Sequence, residues 1–323
     1  MQNKSLIRAL KILIALVVIV GVGWQLYDSW DKITKVRWEP NYLLLILAGT
    51  CYVVAYIPSA VYWWYAMQTL GQQPGICETF RAYYIGHLGK YVPGKAMVLV
   101  LRSGLLNREK TKLSVAVASV FLETMTMMAV GAFVASLIAV LWFQQIGHGM
   151  QVNNSGTLML LALGVMFGTM LPILPPVFHF VAKKCRIELE GLRFRTLVIG
   201  WALNIPVWLM LGLGLWLAML GLGVQSNGAF HDVLYCTLTV SMAVVLGFAT
   251  PIPGGLGARD AAMVLFLVPF FTAHPIMVGD ADPTGMAIVI ATAHRLISIL
   301  AELTVSAMLL IFVKSDKGIS LIA

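Results

Sequence analysis

Charge and helix-breaking residues coincide at two places in this sequence. Lys90, Lys95 and Arg102 straddle Pro93-Gly94, and Arg259-Asp260 follows the run Pro251-Ile252-Pro253-Gly254-Gly255-Leu256-Gly257. Proline removes a backbone donor and glycine is free to turn, so neither run continues a helix. The N–H groups freed at such a break, set beside cations, are suited to holding a phosphate. Three further ionisable residues, Glu123, Arg295 and Glu302, lie inside apolar stretches. In the centre of a bilayer each would cost at least about 2.5–3.5 kcal/mol unless paired or hydrated.

Composition says that a bilayer is the right solvent to consider. Of 323 residues 59% are hydrophobic and 11% charged, with a mean hydropathy of +0.87. A soluble domain carries about 25% charged residues. The net charge of +8 comes from basic residues clustered between apolar segments. That clustering fits membrane orientation and anionic headgroups rather than nucleic acid. Four scattered cysteines, without CxxC or a His-Cys cluster, point to neither a disulfide framework nor a metal site. No phosphate-binding loop, dinucleotide fingerprint or HExxH motif is present, so neither a catalytic site nor a cofactor is expected.

The apolar runs predict six full spans, at about 9–27, 42–67, 113–143, 158–182, 196–222 and 285–313, each near the ~20 residues needed to cross ~30 Å. Pro58 should kink the second. Basic residues at 4, 8 and 11, 108–112, 183–195 and 314–317 place those loops and both termini in the cytoplasm. Both ends of 78–106 are then cytoplasmic, and its broken apolar run is too short to span, which predicts a re-entrant hairpin. The same logic makes 233–271 a second hairpin, entered from the opposite face. The fold class expected is an all-α polytopic membrane protein, one transmembrane domain over 1–323. Units 42–143 and 196–313 would form an inverted-topology repeat, an arrangement whose broken helices meet at the substrate site.

Each charged residue also has a plainer role open to it. Lys90, Lys95 and Arg102 could snorkel to the surface and set the depth of the first hairpin. Glu123 could form a static ion pair with Arg295 or Arg259. Arg295 and Glu302 are two turns apart, roughly 10 Å, so each needs a partner elsewhere. The aromatic run Tyr62-Trp63-Trp64-Tyr65 reads as an interfacial belt, and His87 as structural.

The motifs Gly89-Lys90-Tyr91-Val92-Pro93-Gly94-Lys95 with Arg102, Pro251 through Asp260, and Arg295 resemble the lysylphosphatidylglycerol synthase transmembrane-region family over nearly the whole chain. Many members carry Gly-Glu after the first Pro-Gly, where this chain has Lys95-Ala96, and often Glu where it has Asp260. The resemblance implies a flippase-like bacterial or archaeal inner-membrane protein that moves an anionic or headgroup-modified lipid between leaflets. Lys90, Lys95, Arg102 and Arg259 would engage phosphate near Pro253, Gly254 and Gly255. Glu123, Asp260 and Glu302 would counterbalance charge or bind a cationic headgroup, and Arg295 would complete the site. With about ten residues after the last span, the chain is not expected to be an enzyme. The alternatives are a non-transporting membrane partner of a lipid-linked glycosyltransferase, or an ion-coupled small-solute transporter.

Overall fold

The computed structural model describes residues 40–91, 96–107, 109–146, 192–250, 255, 257–279 and 282–312. The expected spans 9–27 and 158–182 lie outside them, as do Lys95, Pro253 and Gly254. The described chain is helical: α1 Tyr42–Ala55, α2 Ile57–Thr69, α3 Ile76–His87, α4 Ala96–Gly104, α5 Leu113–Ile146, α6 Phe194–Gly221, α7 Ala229–Ala249, α8 Ala258–Ala273 and α9 Pro283–Phe312. Short 3-10 turns cover Leu88–Tyr91 and Pro275–Met277.

Five segments among the described residues are long and apolar enough to cross a membrane: Tyr42–Thr69, Leu113–Leu141, Phe194–Gly221, Ala229–Ala249 and Pro283–Ile311. The protein is a multi-pass membrane protein. α1 and α2 make one span broken at Tyr56, with Pro58 in the first turn of α2, where its missing N–H costs least. The added member is α7. The sequence places it in a hairpin, yet its 21 residues reach about 31 Å at 1.5 Å per residue.

At each break the two flanking helices pack against each other as an antiparallel pair. In the first, the Glu78 carboxylate accepts from the backbone N–H of Asn107, and Gly86 faces Arg102. A Cβ on Gly86 would lie 2.4 Å from Cγ of Arg102 and 3.0 Å from its backbone nitrogen. Glycine is thus what lets α4 lie against α3. In the second, the Tyr235 and Phe270 rings stack at 4.2 Å, and the Tyr235 hydroxyl donates to the Phe266 carbonyl at 2.6 Å. α3 and α4, of 12 and 9 residues, are too short to span, at about 18 and 14 Å.

α6 is the centre of the bundle and packs on α1, α2, α5 and α7. Small residues permit this closeness, as expected where lipid removes the hydrophobic drive between helices. Gly200 receives the ring of Tyr62, and Gly212 lies directly under Thr237 of α7. Polar bonds fix the register. Ser59 donates to Asn204 at 2.6 Å, and the Trp208 indole donates to the Met127 carbonyl at 3.1 Å.

The aromatic run in α2 is not an interfacial belt at its first two positions. Tyr62 and Trp63 are both fully buried. The Trp63 indole donates to Ser119 at 2.9 Å, and the Tyr62 hydroxyl lies 3.3 Å from Thr126. The polar face that Ser119 and Thr126 share with Glu123 supplies these partners, so the rings can be desolvated.

Candidate functional site

The two hairpins meet at one cavity of about 410 Å³. From the first come His87, Lys90 and Arg102, with Val98 and Leu99; from the second and the end of α7 come Gly255, Arg259, Val244, Gly247 and Phe248. α5 supplies the remaining wall with Phe121, Glu123, Thr124 and three methionines. One end is therefore charged and the rest apolar. Phe121 remains 50% exposed on the outer surface of α5, so the apolar end reaches the face that lipid would cover.

Among the described residues three ion pairs surround the charged end, and none is the Glu123–Arg295 or Glu123–Arg259 pair that span depth allowed. Glu123 instead takes Arg102 at 2.6 Å and accepts from the Tyr83 hydroxyl at 3.0 Å. The guanidinium lies 3.8 Å over the Tyr83 ring. The reason is local: the Gly86 contact brings α4 onto α3, and α4 also packs on α5, so Arg102 reaches Glu123 first. Arg295 pairs with Asp260 at 2.5 Å, and Asp260 also accepts from the N–H of Gly257 at 3.2 Å, capping α8 where its dipole favours a carboxylate. Glu302 accepts from Lys90 and from the Tyr52 hydroxyl. Lys90 and Arg102 are thus held inward rather than snorkelling.

The predicted residues divide accordingly. Lys90, Arg102, Glu123, Gly255 and Arg259 line the cavity. Glu302 sits behind Lys90, and the Asp260–Arg295 pair braces α8 against α9. Lys95, Pro253 and Gly254 lie outside the described residues. His87 is part of the site rather than a bystander: its Nδ1 is 3.1 Å from Arg102 and its ring packs on Tyr56 at 4.7 Å. Tyr52, Tyr56 and the wall residues Phe121, Met125, Met127 and Met128 were also missed. The methionines were findable, because a flexible, polarizable cluster beside a buried acid is a common lining for an adaptable apolar site.

Arg259 differs from the other cations. Its guanidinium is partly buried and lines the cavity, among Tyr52, Tyr56, Asp260 and Tyr91 as electrostatic neighbours. Among the described residues it forms no ion pair and no hydrogen bond. The carboxylate nearest in sequence, Asp260, is committed to Arg295.

Gly255 holds the tip of the second hairpin in place. Its φ is +63°, and a Cβ there would lie 3.2 Å from Cα of Gly247 and 3.3 Å from its carbonyl oxygen. Gly255→Ala therefore meets about 1–2 kcal/mol of left-handed strain together with a close approach to α7. The expected result is a folded protein with its hairpin tip displaced. Where geometry matters, about 1 Å can cost on the order of 100-fold. Thermal stability and lipid binding, measured on one preparation, should separate: a small loss in the first and a large one in the second. The opposite split would assign the glycine to packing alone.

A family model described as the lysylphosphatidylglycerol synthase TM region matches residues 9–280 of the chain. No curated protein and no solved structure matches it.

Proposed function

We propose, from the premise that this chain belongs to the lysylphosphatidylglycerol synthase TM-region family, that it moves a phospholipid between leaflets and breaks no covalent bond in doing so. The observation that carries this reading is Arg259, without an ion pair among the described residues, in a cavity with one charged end and one apolar end. A partly buried cation without a counterion is costly, and a ligand phosphate relieves that cost with charge-assisted hydrogen bonds.

Charge count narrows the ligand. Lys90, Arg102 and Arg259 face the cavity, while Glu123 and Glu302 neutralise two of them. With His87 neutral, one positive charge is left over among the described residues. A phosphodiester carries one negative charge and matches it; a pyrophosphate-linked lipid carries more, and a cationic headgroup would find no free carboxylate. The substrate class is a monoanionic phospholipid, its phosphate at Arg259 and its chains leaving past Phe121.

Mechanism follows from the hairpins. Two breaks at one cavity, each hairpin tied by an ion pair to the long helix that follows it (Arg102–Glu123 and Asp260–Arg295), support an inverted repeat working by alternating access. The hairpins enter from opposite faces of a bacterial or archaeal inner membrane, with both termini cytoplasmic.

Purified protein in liposomes tests this. With a fluorescent phosphatidylglycerol in the outer leaflet, a quencher confined outside should lose access to the probe as it moves inward, beyond the rate in protein-free vesicles. A lipid distribution unaltered by the protein overturns the reading and favours a scaffold for a lipid-linked glycosyltransferase. Flux of a small solute without lipid movement favours the solute transporter.

A further inference from the structure

The three buried pairs around the cavity differ in one chemical respect. Arg102–Glu123 and Arg295–Asp260 each contain a guanidinium, which keeps its proton at any physiological pH. Lys90–Glu302 contains none: its cation is an ammonium on a flexible stem, a point charge that can turn from the carboxylate to another anion without giving up a forked, planar fit. Its cation lines the cavity, as Arg102 does, but its acid is the one of the three with a buried oxygen that no hydrogen bond reaches among the described residues. We propose that Glu302 is a proton-binding site that couples lipid movement to a proton gradient, with one proton on Glu302 for one phosphodiester in the cavity. This rests on the transport reading above.

The surroundings of Glu302 fit such a role. It is 5% exposed, and one carboxylate oxygen takes both Lys90 and the Tyr52 hydroxyl, while the other has no hydrogen-bond partner among the described residues. Beside it lies a void of about 10 Å³, walled by Tyr52, Val53, Tyr56, Tyr83, Tyr84 and His87, near the space one water needs. Nε2 of His87 is 3.9 Å from the paired oxygen, while the same ring lines the lipid cavity. His87 therefore lies between the two spaces and offers a proton relay from one to the other.

The groups that set the charge around Glu302 come from each element packed on it. α1 brings Tyr52 and Tyr56, α3 brings Tyr83, Tyr84 and His87, and the turn after it brings Lys90 and Tyr91. Arg102 of α4, Arg259 of α8 and Arg295 of α9 act from further off, and α6 carries only Arg195, in its first turn. Besides His87 and Lys90, the charged groups are Arg102 and Arg295, held by Glu123 and Asp260, and Arg259, which faces the ligand.

The cycle balances in charge and protons. With Glu302 ionised, Lys90 is held and the cavity carries its single excess positive charge. A proton taken up by Glu302 neutralises the carboxylate and frees Lys90, which keeps its own proton. The loaded cavity, with Lys90 and Arg259 facing one phosphodiester, then carries the same single positive charge as the empty one. Proton and phosphate thus each strengthen the binding of the other, by the reciprocity of linked sites. On the far side the lipid leaves, Glu302 loses its proton, and the Lys90–Glu302 pair re-forms. One proton and one monoanion cross together, and no net charge moves.

The test uses the full-length chain in vesicles with a trace of fluorescent phosphatidylglycerol and protein-free vesicles as baseline. One pH unit corresponds to a tenfold ratio for one coupled proton. A gradient of one unit should therefore enrich the probe up to about tenfold in the leaflet facing the alkaline side. A potassium diffusion potential without a pH gradient should enrich neither leaflet. In Glu302→Gln the pH response should vanish at whatever rate the variant moves lipid. If the unaltered protein moves lipid but distributes it equally under the pH gradient, coupling is overturned and transport stands. If the potential alone drives enrichment, the one-to-one stoichiometry falls. A pH response retained in Glu302→Gln removes Glu302 from the role, and lipid movement absent under every condition overturns both readings.

Discussion

Replacing Arg259 by glutamine is expected to weaken phosphatidylglycerol binding by ten- to about a hundredfold, and to raise thermal stability at the same time. Hydrogen bonds to charged groups contribute about 1.5–3 kcal/mol, and among the described residues the cavity holds no other cation free of a carboxylate. Glutamine keeps a donor but removes the charge. In the ligand-free protein that removal is favourable, because Arg259 lines a cavity whose walls leave it without an ion-pair partner among the described residues. A site that is unstable when empty and relieved when filled is the expected signature of ligand binding rather than packing. Arg259→Lys should fall between, since an ammonium keeps the charge but loses the planar fork. Binding by native mass spectrometry and melting by intrinsic fluorescence, on the same samples, check both signs. Unchanged affinity, or a loss of stability with affinity intact, would remove Arg259 from the site.

The architecture was largely legible because bilayer physics leaves few options. The runs at 42–67, 113–143, 196–222 and 285–313 became helices within a few residues of those bounds, and Pro58 broke the first of them where expected. The two breaks were legible for the same reason, since proline and glycine at depth have few other uses. What the sequence withheld was pairing. Glu123 had several cations within plausible depth, and depth alone does not say which helix faces it. That choice depends on how closely α3 and α4 approach, which is set by the absence of a side chain at Gly86. Tyr62 and Trp63 misled for a related reason. Next to a loop they look interfacial, and only the packing of α2 on α5 shows that Ser119 and Thr126 await them. The length of α7 was masked by the glycines and prolines that follow it, which drew the whole segment into one hairpin.

Glu123→Gln should destabilise the protein more than any other single change at the site. Arg102 and Glu123 are 2% and 1% exposed, so neither can turn to water if its partner goes. Breaking a buried pair by removing one member costs about 3–5 kcal/mol, because the remaining charge stays buried. Glutamine still accepts from Tyr83, but it leaves the guanidinium without a counterion against the Tyr83 and Trp63 rings. Removing both charges should cost far less: the double variant Arg102→Met with Glu123→Leu replaces the pair by apolar side chains of similar length, a change often neutral in buried pairs. The cycle of two single variants and the double, followed by thermal unfolding in detergent, should therefore show strong positive coupling. A double variant that melts as low as Glu123→Gln would mean that the loss lies in shape and not in an orphaned charge. Lipid binding then distinguishes the two hairpins. The net charge facing the cavity is the same with the pair present or absent, because the guanidinium and carboxylate cancel. If the pair only clamps α4 to α5, the double variant keeps its affinity for phosphatidylglycerol while Arg259→Gln does not. If affinity is lost in both, Arg102 leaves Glu123 when lipid enters, and the first hairpin contributes its own hydrogen bonds to the phosphate.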